Sequence, residues 1–371
     1  MEILGRYILR GEEQRMYKLI RFDKEENYIN DFLELPKKLY SKDEIVQNQK
    51  EEREILLEKH ILSKYFKIYK LICYKENEAS ARCILTIYPN DDCSYIGYFE
   101  SIKDNQCSKL LFEEVGRISK ENNCKKIQGP VDTSFWVKYR LKTNNFHKKP
   151  YISEPYNKEY YLDLFLFGGY KIIETYVSNY YEKPPFFNYS DKKAKGRYEN
   201  FINKGYKIIS PKLKDYDKTI RIIYSMLMEL YNNFPIFKDI KEEDFVQIFA
   251  SYKYILDFSM VKIVYYKNEA VGFAIAMPDY GNMLYGKLGL KEYGKLFLKK
   301  LRSNNYVLLY MGVKPKHKGL GNAIVQTMIG KVKARRSTAI GSLIKEGKVT
   351  QGYVHDKIAS TNTYALLEIE L

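Results

Sequence analysis

Two glycines stand at the start of a predicted helix, in a segment that could bind a phosphate group. The segment reads Met311-Gly-Val-Lys-Pro-Lys-His-Lys-Gly-Leu-Gly-Asn-Ala323 and follows a predicted strand. Gly319 and Gly321 let the backbone approach a ligand without interference from Cβ atoms. Their amides, with the first amides of the helix, can form a positive cradle that suits a pyrophosphate.

Basic side chains precede these glycines and could add mobile positive charge to the cradle. They are Lys314, Lys316, His317 and Lys318. The segment is not a P-loop, because no G-K-[ST] follows the glycines. It does not match G-x-G-x-x-G either, because position 324 is isoleucine.

Most of the positive charge of the chain lies around this segment. The chain has 371 residues, with 62 Lys+Arg against 46 Asp+Glu and a formal net charge of +16. Between Lys291 and Lys348, 14 lysines and arginines face two acidic residues, so this region carries +12. A basic chain can bind nucleic acid, but charge concentrated around a glycine loop favours a local anion site.

Length and composition restrict the class of protein. A chain of 371 residues predicts two domains, and a hydrophobic content of 45% excludes disorder for most of it. No run approaches 18 apolar residues, and the first residues lack the layout of a signal peptide. We therefore expect a soluble, cytoplasmic protein.

The cysteines and histidines indicate no metal site. The five cysteines show no C-x-x-C spacing, and the four histidines show no metal-ligand pattern. We interpret the cysteines as small buried residues in a reducing compartment. They are Cys73, Cys83, Cys93, Cys107 and Cys124.

The elements that would position the glycine loop recur in both halves. The first half predicts helices within Asn30–Lys70, a hairpin of Tyr69–Tyr74 and Ala81–Tyr88, a strand at Ile96–Glu100, a helix at Asn105–Asn122 capped by Asp104, and a strand at Cys124–Gly129. The second half predicts helices at Lys218–Tyr231 and Glu242–Tyr254, a hairpin of Met260–Tyr266 and Val271–Met277, a strand at Tyr306–Val313, a helix at Gly321–Ala334, and strands at Thr338–Ile344 and Thr363–Leu371. This order predicts a duplication, with domains at residues 1–190 and 191–371.

The glycine segment resembles a motif of the GNAT superfamily of acyl-CoA-dependent N-acyltransferases. The family pattern is [QR]-x-x-G-x-[GA], and this chain has Lys316-His-Lys-Gly-Leu-Gly321, with lysine in place of glutamine or arginine. Val271-Gly-Phe-Ala, after a strand and turn, also resembles the hairpin of that family. The resemblance implies an α+β fold with a mixed sheet.

A second resemblance covers nearly the whole chain. Uncharacterised bacterial proteins of about 370 residues with two GNAT-like halves share Gly97-Tyr-Phe-Glu100, Gly129-Pro130 and Pro155-Tyr-Asn-Lys-Glu-Tyr-Tyr161 before Gly168-Gly-Tyr170. In that group the glycine loop lies in the C-terminal half. Here the N-terminal half has Tyr98-Phe-Glu-Ser-Ile-Lys-Asp104 in its place. The resemblance implies tandem GNAT-like folds with a degenerate N-terminal copy that binds no CoA and shapes the acceptor pocket.

The resemblance also implies where acetyl-CoA would bind. Backbone groups of Met311 and Val313 would bind the pantetheine arm, and the amides of the cradle would hold the pyrophosphate. The acyl donor site would then comprise Met311, Val313, Lys316, His317, Lys318, Gly319, Leu320, Gly321, Asn322 and Ala323, with no metal.

The catalytic residues are less well defined by the pattern. By resemblance, Tyr353 would protonate the leaving thiolate, with ordinary packing as its alternative role. Tyr310 is the second candidate, with a place in the pocket wall as its alternative. No Asp or Glu lies on Tyr306–Val313, so the general base is open. The acceptor pocket would include Tyr156, Asn157 and Tyr160, unless these residues only form a packed aromatic turn.

Three functions are compatible with these residues. The first is an N-acetyltransferase that acts on a small-molecule or peptide amine, with no nucleic-acid or membrane partner. The second is a Fem-like aminoacyl transferase, since those enzymes also pair two GNAT-like halves and a basic chain suits tRNA. The third is a CoA-binding protein without turnover, which the undefined base leaves open.

Overall fold

The chain forms two compact units. The computed structural model describes residues 16–184, 192–286 and 289–371. Unit 1 consists of the chain up to Thr175 together with Thr363–Leu371, and unit 2 consists of Tyr176–Asn362. The predicted boundary between residues 190 and 191 lies outside the described residues.

Unit 1 is a mixed sheet with helices. Its elements are β1 (Tyr17–Phe22), α1 (Glu26–Leu39), α2 (Gln49–Leu56), β2 (Lys67–Lys75), β3 (Glu78–Ile87), β4 (Cys93–Ser101), α3 (Asn105–Glu121), β5 (Lys126–Gly129), the two-residue strands β6 (Val131–Asp132), β7 (Lys138–Tyr139) and β8 (Leu141–Lys142), and α4 (Tyr161–Phe167). Strands β1 to β5 lie in chain order, antiparallel except for the parallel pair β4–β5.

Unit 2 repeats this arrangement. Its elements are the end of β9 (Lys171–Tyr181), α5 (Lys192–Asn203), β10 (Lys207–Ile209), α6 (Tyr216–Tyr231), α7 (Glu242–Phe249), α8 (Tyr252–Ile255), β11 (Val261–Tyr266), β12 (Glu269–Pro278), α9 (Leu290–Leu301), β13 (Asn305–Val313), α10 (Leu320–Ala334) and β14 (Thr338–Lys345). The sheet order is β10-β11-β12-β13-β14-β9, and β13–β14 is the parallel pair. The series β2-β3-β4-α3-β5 thus recurs as β11-β12-β13-α10-β14.

The last strand of the chain, β15 (Ile358–Glu370), completes the sheet of unit 1. Leu367 to Glu370 pair antiparallel with β5, from Gly129 to Lys126. The sequence places this strand in the second domain because it follows the second set of elements. Its pairing with β5 instead assigns residues from Thr363 onwards to unit 1.

Local patterns account for the helices next to the parallel strands. Helix α3 begins at the predicted cap, Asp104, and buries its face of Leu110, Leu111, Val115 and Ile118. The region predicted as helical before β2 contains α1 and α2, but it is extended from Lys67 because β2 pairs with both β1 and β3.

The cysteines are free and buried in unit 1, as the sequence predicts. In the described ranges, no helix combines the length and the apolar character that crossing a bilayer requires.

Candidate active site in unit 2

A gap opens in the sheet of unit 2 where β13 and β14 part. Their parallel pairing runs from Asn305 to Leu308 on β13, whereas pairing with β12 continues to Val313. Leu309 is an extra residue on β13, because Tyr310 and Leu308 oppose consecutive residues of β12. A β-bulge of this kind bends a strand and ends a ladder. The bulge therefore separates the second half of β13 from β14.

Backbone groups of β13 face this gap. The Lys314 N–H donates to the Val271 carbonyl at 3.0 Å, so alternate residues of β13 bond to β12. Met311 and Val313 fall at the other positions, and their N–H and C=O groups point away from β12. The Tyr231 hydroxyl donates to the Met311 carbonyl at 3.3 Å. These two residues therefore present backbone hydrogen-bonding groups on the side that β14 leaves open.

The glycine loop follows β13 and opens the N-terminus of α10. Gly319 has φ +94°, a left-handed conformation that strains residues with a side chain. Gly319 is the N-cap residue of α10 and has no side chain that could cap the first turn. Leu320 and Ala323 are fully buried, so only their backbone groups can serve a ligand. The first amides of the helix are thus available to an anion.

Two predicted cations of the loop have other roles. The Lys314 ammonium pairs with Glu229 at 2.9 Å and with Glu269 at 2.7 Å. His317 Nδ1 lies 2.7 Å from the Tyr206 hydroxyl, and its ring packs edge-on against that tyrosine. These contacts fix both side chains instead of leaving them mobile.

Lys316 and Lys318 are exposed on the same loop. Asn322 lies in the first turn of α10, so its backbone N–H is one of the first amides of the helix. Lys316 and Lys318 form the outer part of the predicted cradle, whereas Gly321 is buried beneath them.

Two side chains from distant parts of unit 2 meet at the glycines. A Cβ placed on Gly319 would lie 2.9 Å from Nη1 of Arg197. A Cβ placed on Gly321 would lie 2.2 Å from the Tyr353 hydroxyl. The sequence predicts Tyr353 as a site residue. It does not predict Arg197, because no motif in the sequence around Arg197 indicates a role at the loop. The loop therefore has a phenol and an additional guanidinium beside its amides.

The environment of Tyr353 keeps its phenol protonated at neutral pH. Burial raises the pKa of Tyr353, and the positive charge of Arg197 opposes part of that rise. A protonated phenol can donate a hydrogen bond or a proton.

Tyr310 approaches the gap from a different element. It is half-buried on β13 and pairs with Ile275. Gly312, two residues on, faces α6, since a Cβ there would lie 2.6 Å from Leu230. Side chains alternate along a strand, so Tyr310 lies on the α6 side and Tyr353 at the N-terminus of α10.

The equivalent gap in unit 1 is filled by its own chain. Strands β4 and β5 pair only from Cys93 to Tyr95, and β6 then lies against β4. A Cβ on Gly97 would lie 1.9 Å from the Val131 carbonyl oxygen. The Tyr98 N–H donates to Asp132 Oδ1 at 2.6 Å.

The helix N-terminus in unit 1 is also occupied. Asp104 Oδ1 accepts hydrogen bonds from the N–H groups of Gln106 at 2.8 Å and Cys107 at 3.1 Å. Lys75 and Tyr17 bind the other oxygen of Asp104 at 2.7 and 3.0 Å. A carboxylate of the protein thus takes the position that an anion could take at α10.

Comparisons with known proteins agree with this duplicated architecture. No family model matches the chain, and no curated protein matches it. Among solved structures, a tandem GNAT protein from the clavulanic acid biosynthesis pathway aligns with a TM-score of 0.51 and 6% identity, over 95% of this chain and 98% of that one. The chain has the tandem GNAT fold.

A second structure supports the same assignment of fold. It contains a GCN5-related glucosamine N-acetyltransferase region of a fungal multi-domain β-N-acetylglucosaminidase, with a TM-score of 0.55 and 11% identity. The alignment covers 95% of this chain but 38% of that longer one. At such identities the likeness concerns the fold, so function has to be argued from the residues of this chain.

The GNAT fold of unit 1 places the predicted acceptor residues in different surroundings. Tyr156 donates to the Phe146 carbonyl at 2.7 Å, and Asn157 Oδ1 accepts from the Lys142 N–H at 2.7 Å. Both line one polar cleft of unit 1. Tyr160 instead donates to the Ser101 carbonyl at 2.9 Å and is not part of that lining.

Replacement of the cap in unit 1 tests whether Asp104 satisfies the helix terminus. Asp104→Ala is expected to lower the free energy of unfolding by about 1–2 kcal/mol, because two amides and Lys75 lose their acceptor. Burial opposes ionisation of Asp104, but the hydrogen bonds of Lys75 and the amides outweigh it and hold the pKa of this carboxyl below its usual value. Its contribution is therefore complete above the usual pKa, about 4, and is lost as pH falls through the lower native value.

Urea unfolding at pH 7 and pH 3 measures this effect. The difference between wild type and Asp104→Ala should be largest at pH 7 and smaller at pH 3. Asp104→Asn, which retains an oxygen for the amides, should lose less than Asp104→Ala. Equal stability of Asp104→Ala and wild type at pH 7 would contradict the capping role.

Proposed function

We propose that the protein is an acyl-CoA-dependent N-acyltransferase whose acyl donor, acetyl-CoA in the simplest case, binds to unit 2. The observation that carries this proposal is the uncapped N-terminus of α10 behind the left-handed Gly319. It lies directly after a strand that has parted from its parallel neighbour. In unit 1 the corresponding helix, α3, is capped by Asp104, so of these two equivalent helices only α10 lacks a side-chain cap from its N-cap residue.

The residues of the loop fit the diphosphate of CoA. Amides from Lys318 to Ala323 would donate to the phosphate oxygens, while Lys316, Lys318 and Arg197 would add positive charge around them. Met311 and Val313 would bind the pantetheine arm through the backbone groups that face the gap. The ligand would then supply hydrogen-bond partners to the amides of the loop and to the backbone groups of β13 that the sheet of unit 2 leaves unpaired with a neighbouring strand.

The chemistry requires a neutral amine and a protonated leaving group. An acyl-CoA supplies the activated acyl group, and the acceptor amine must lose its proton before it attacks. Tyr353 is the proposed donor of a proton to the departing thiolate, and because its hydroxyl lies beside Gly321, this role requires the thioester sulfur to come within hydrogen-bond distance of that position. Strand β13 carries no Asp or Glu, so this proposal assigns no side-chain base on that strand.

Thermal unfolding in the presence of acetyl-CoA, CoA and longer acyl-CoAs tests donor binding. A ligand at 100 times its Kd stabilises the folded protein by about 2.7 kcal/mol, a shift that unfolding curves resolve. Release of free thiol from acetyl-CoA in the presence of an amine panel then tests transfer.

The same measurements separate the three functions. Stabilisation by acetyl-CoA with amine-dependent thiol release supports an acetyltransferase. Stabilisation without thiol release for any amine indicates a CoA-binding protein. Absence of stabilisation, with a tRNA mobility shift that weakens steeply as salt rises, indicates an aminoacyl transferase and overturns the proposal.

A further inference from the structure

Unit 1 contains a polar cleft lined by residues of β4, β6 and the segments that follow β6, with about 420 Å³ of empty space including its open mouth. The enclosed part suits the polar end of a small molecule. Its lining combines charged and aromatic side chains, and some of them are buried without complete hydrogen bonding. The residues that line it are Gln47, Glu52, Arg82, Tyr98, Glu100, Pro130, Asp132, Lys138, Tyr139, Arg140, Leu141, Pro155, Tyr156 and Asn157.

Arg82 lies in the wall of this cleft, and three of its five guanidinium N–H groups have no hydrogen-bond acceptor among the described residues. The side chain is fully buried. Its Nη1 donates to Glu52 at 2.8 Å and to the Phe32 carbonyl at 2.7 Å. Its Nε and Nη2 have no hydrogen-bond partner among the described residues. Buried N–H groups normally have partners, so this edge of the guanidinium calls for an acceptor from outside the protein.

Glu100 forms an ion pair with this edge of Arg82 but makes its hydrogen bonds elsewhere. Nη2 of Arg82 is 3.9 Å from Glu100 Oε1, beyond hydrogen-bond distance. That oxygen accepts from Gln47 at 2.6 Å, and the other accepts from Tyr40 at 2.8 Å and Tyr161 at 2.7 Å. These bonds hold Glu100 in place and prevent it from turning toward the free edge of Arg82.

Tyr98 adds a second incomplete group to the same cleft. Its hydroxyl is buried and makes no hydrogen bond of normal geometry, although the Thr133 hydroxyl lies nearby. Its backbone has φ +49°, which is rare for a bulky residue inside a strand. The bond from its N–H to Asp132 holds it there. Strain that is held in this way occurs most often at functional sites.

We propose that this cleft binds a small carboxylate-bearing molecule, with Nε and Nη2 of Arg82 donating to its two oxygens and the Tyr98 hydroxyl donating a further hydrogen bond. The planar edge of a guanidinium matches the two oxygens of a carboxylate. Acidic and basic residues are equal in number along the lining, so a zwitterionic amino acid leaves the cleft neutral. They are Glu52, Glu100, Asp132, Arg82, Lys138 and Arg140.

The proposal stands apart from acyl transfer. All residues of the cleft belong to unit 1, and Gly319→Glu in unit 2 should leave carboxylate binding unchanged.

Calorimetric titration of the full chain with matched compounds tests the proposal. The probes are L-alanine, L-glutamate, L-lysine and L-phenylalanine, each with the amine that lacks its carboxylate and the acid that lacks its α-amino group, at up to about 10 mM. Saturable binding of an amino acid or its deamino acid, with no binding of the matching amine, supports the proposal. Equal binding of the amine, or binding of no probe, overturns it, and the buried N–H groups then serve water only.

Two tyrosine variants separate binding from stability. Tyr98→Phe removes a hydroxyl that lacks a normal bond, so it should leave the thermal midpoint unchanged or raised and weaken the carboxylate by about tenfold. Tyr160→Phe removes a hydroxyl that donates to Ser101 outside the cleft, so it should lower the midpoint and leave affinity unchanged. Unchanged affinity in Tyr98→Phe would remove this residue from the site and contradict the proposed contacts.

Discussion

Gly319→Glu is expected to abolish the stabilisation of the protein by acetyl-CoA. Wild type should gain about 2.7 kcal/mol at 100 times Kd, and the variant should gain nothing measurable. A glutamate at this position directs a negative charge toward the amides that would hold the diphosphate. Its carboxylate can also pair with Arg197, whose Nη1 lies 2.9 Å from the Cβ position. Both effects remove positive charge from the cradle.

Gly319→Glu is also expected to lower the free energy of unfolding in the absence of ligand. A residue with a side chain at φ +94° is destabilised by about 1–2 kcal/mol relative to glycine. The measurement is therefore the shift caused by acetyl-CoA in each protein, and not the midpoint itself.

Gly330→Glu is the matched control for this experiment. Gly330 lies in the same helix, and a Cβ there would have no described atom within 4 Å. This variant introduces the same side chain far from the N-terminus of α10, so its response to acetyl-CoA should equal that of wild type. A full response in Gly319→Glu would show that the loop does not hold the donor, whereas loss of response in both variants would indicate a general effect of charge.

The sequence predicts the strands and helices around the glycine loop because local patterns determine them. The hairpins combine short apolar runs with polar turns, and the face of α3 repeats at helical spacing behind its cap, Asp104. The loop itself is also local, since Gly319 and Gly321 lie within one turn. These features need no knowledge of the tertiary structure.

The side-chain partners of the site depend on tertiary structure and could not be predicted. Arg197 and Tyr353 come from opposite ends of unit 2 and meet only at the loop. Lys314 and His317 lie beside the glycines in sequence, yet Glu229 and Tyr206 hold them. The pairing of β15 with β5 likewise depends on which sheet has an open edge.

The two units differ in how their equivalent helix N-termini are satisfied. In unit 1 a carboxylate, Asp104, satisfies the first amides of α3, and β6 fills the gap beside β4. In unit 2 a left-handed glycine leaves the amides of α10 uncapped, and β14 leaves the gap open. In this duplicated fold, the first amides of the equivalent helix are therefore open to a ligand only in the unit whose own side chains do not bind them.

Tyr353→Phe is expected to lower kcat for acyl transfer by about 100-fold, while acetyl-CoA still stabilises the variant because the loop amides remain in place. Loss of a general acid commonly costs a factor of about 100 or more. Burial raises the pKa of Tyr353 against the opposing charge of Arg197, so the phenol retains its proton at neutral and mildly alkaline pH. The wild-type rate should therefore rise with pH as the acceptor amine loses its proton, with no fall between about pH 6 and pH 9. Initial rates of thiol release from pH 6 to pH 10 measure both effects.

Tyr310→Phe is the control, because it removes the hydroxyl of the other candidate general acid, which lies on β13. It should change kcat by less than about threefold if that tyrosine only packs in the wall. A large loss of kcat in Tyr310→Phe, together with normal kcat in Tyr353→Phe, would show that Tyr310 on β13 is the general acid. Normal kcat in both variants, with chemistry limiting the rate, would mean that the thiolate leaves without a tyrosine proton, and the phenol beside Gly321 would then only shape the loop.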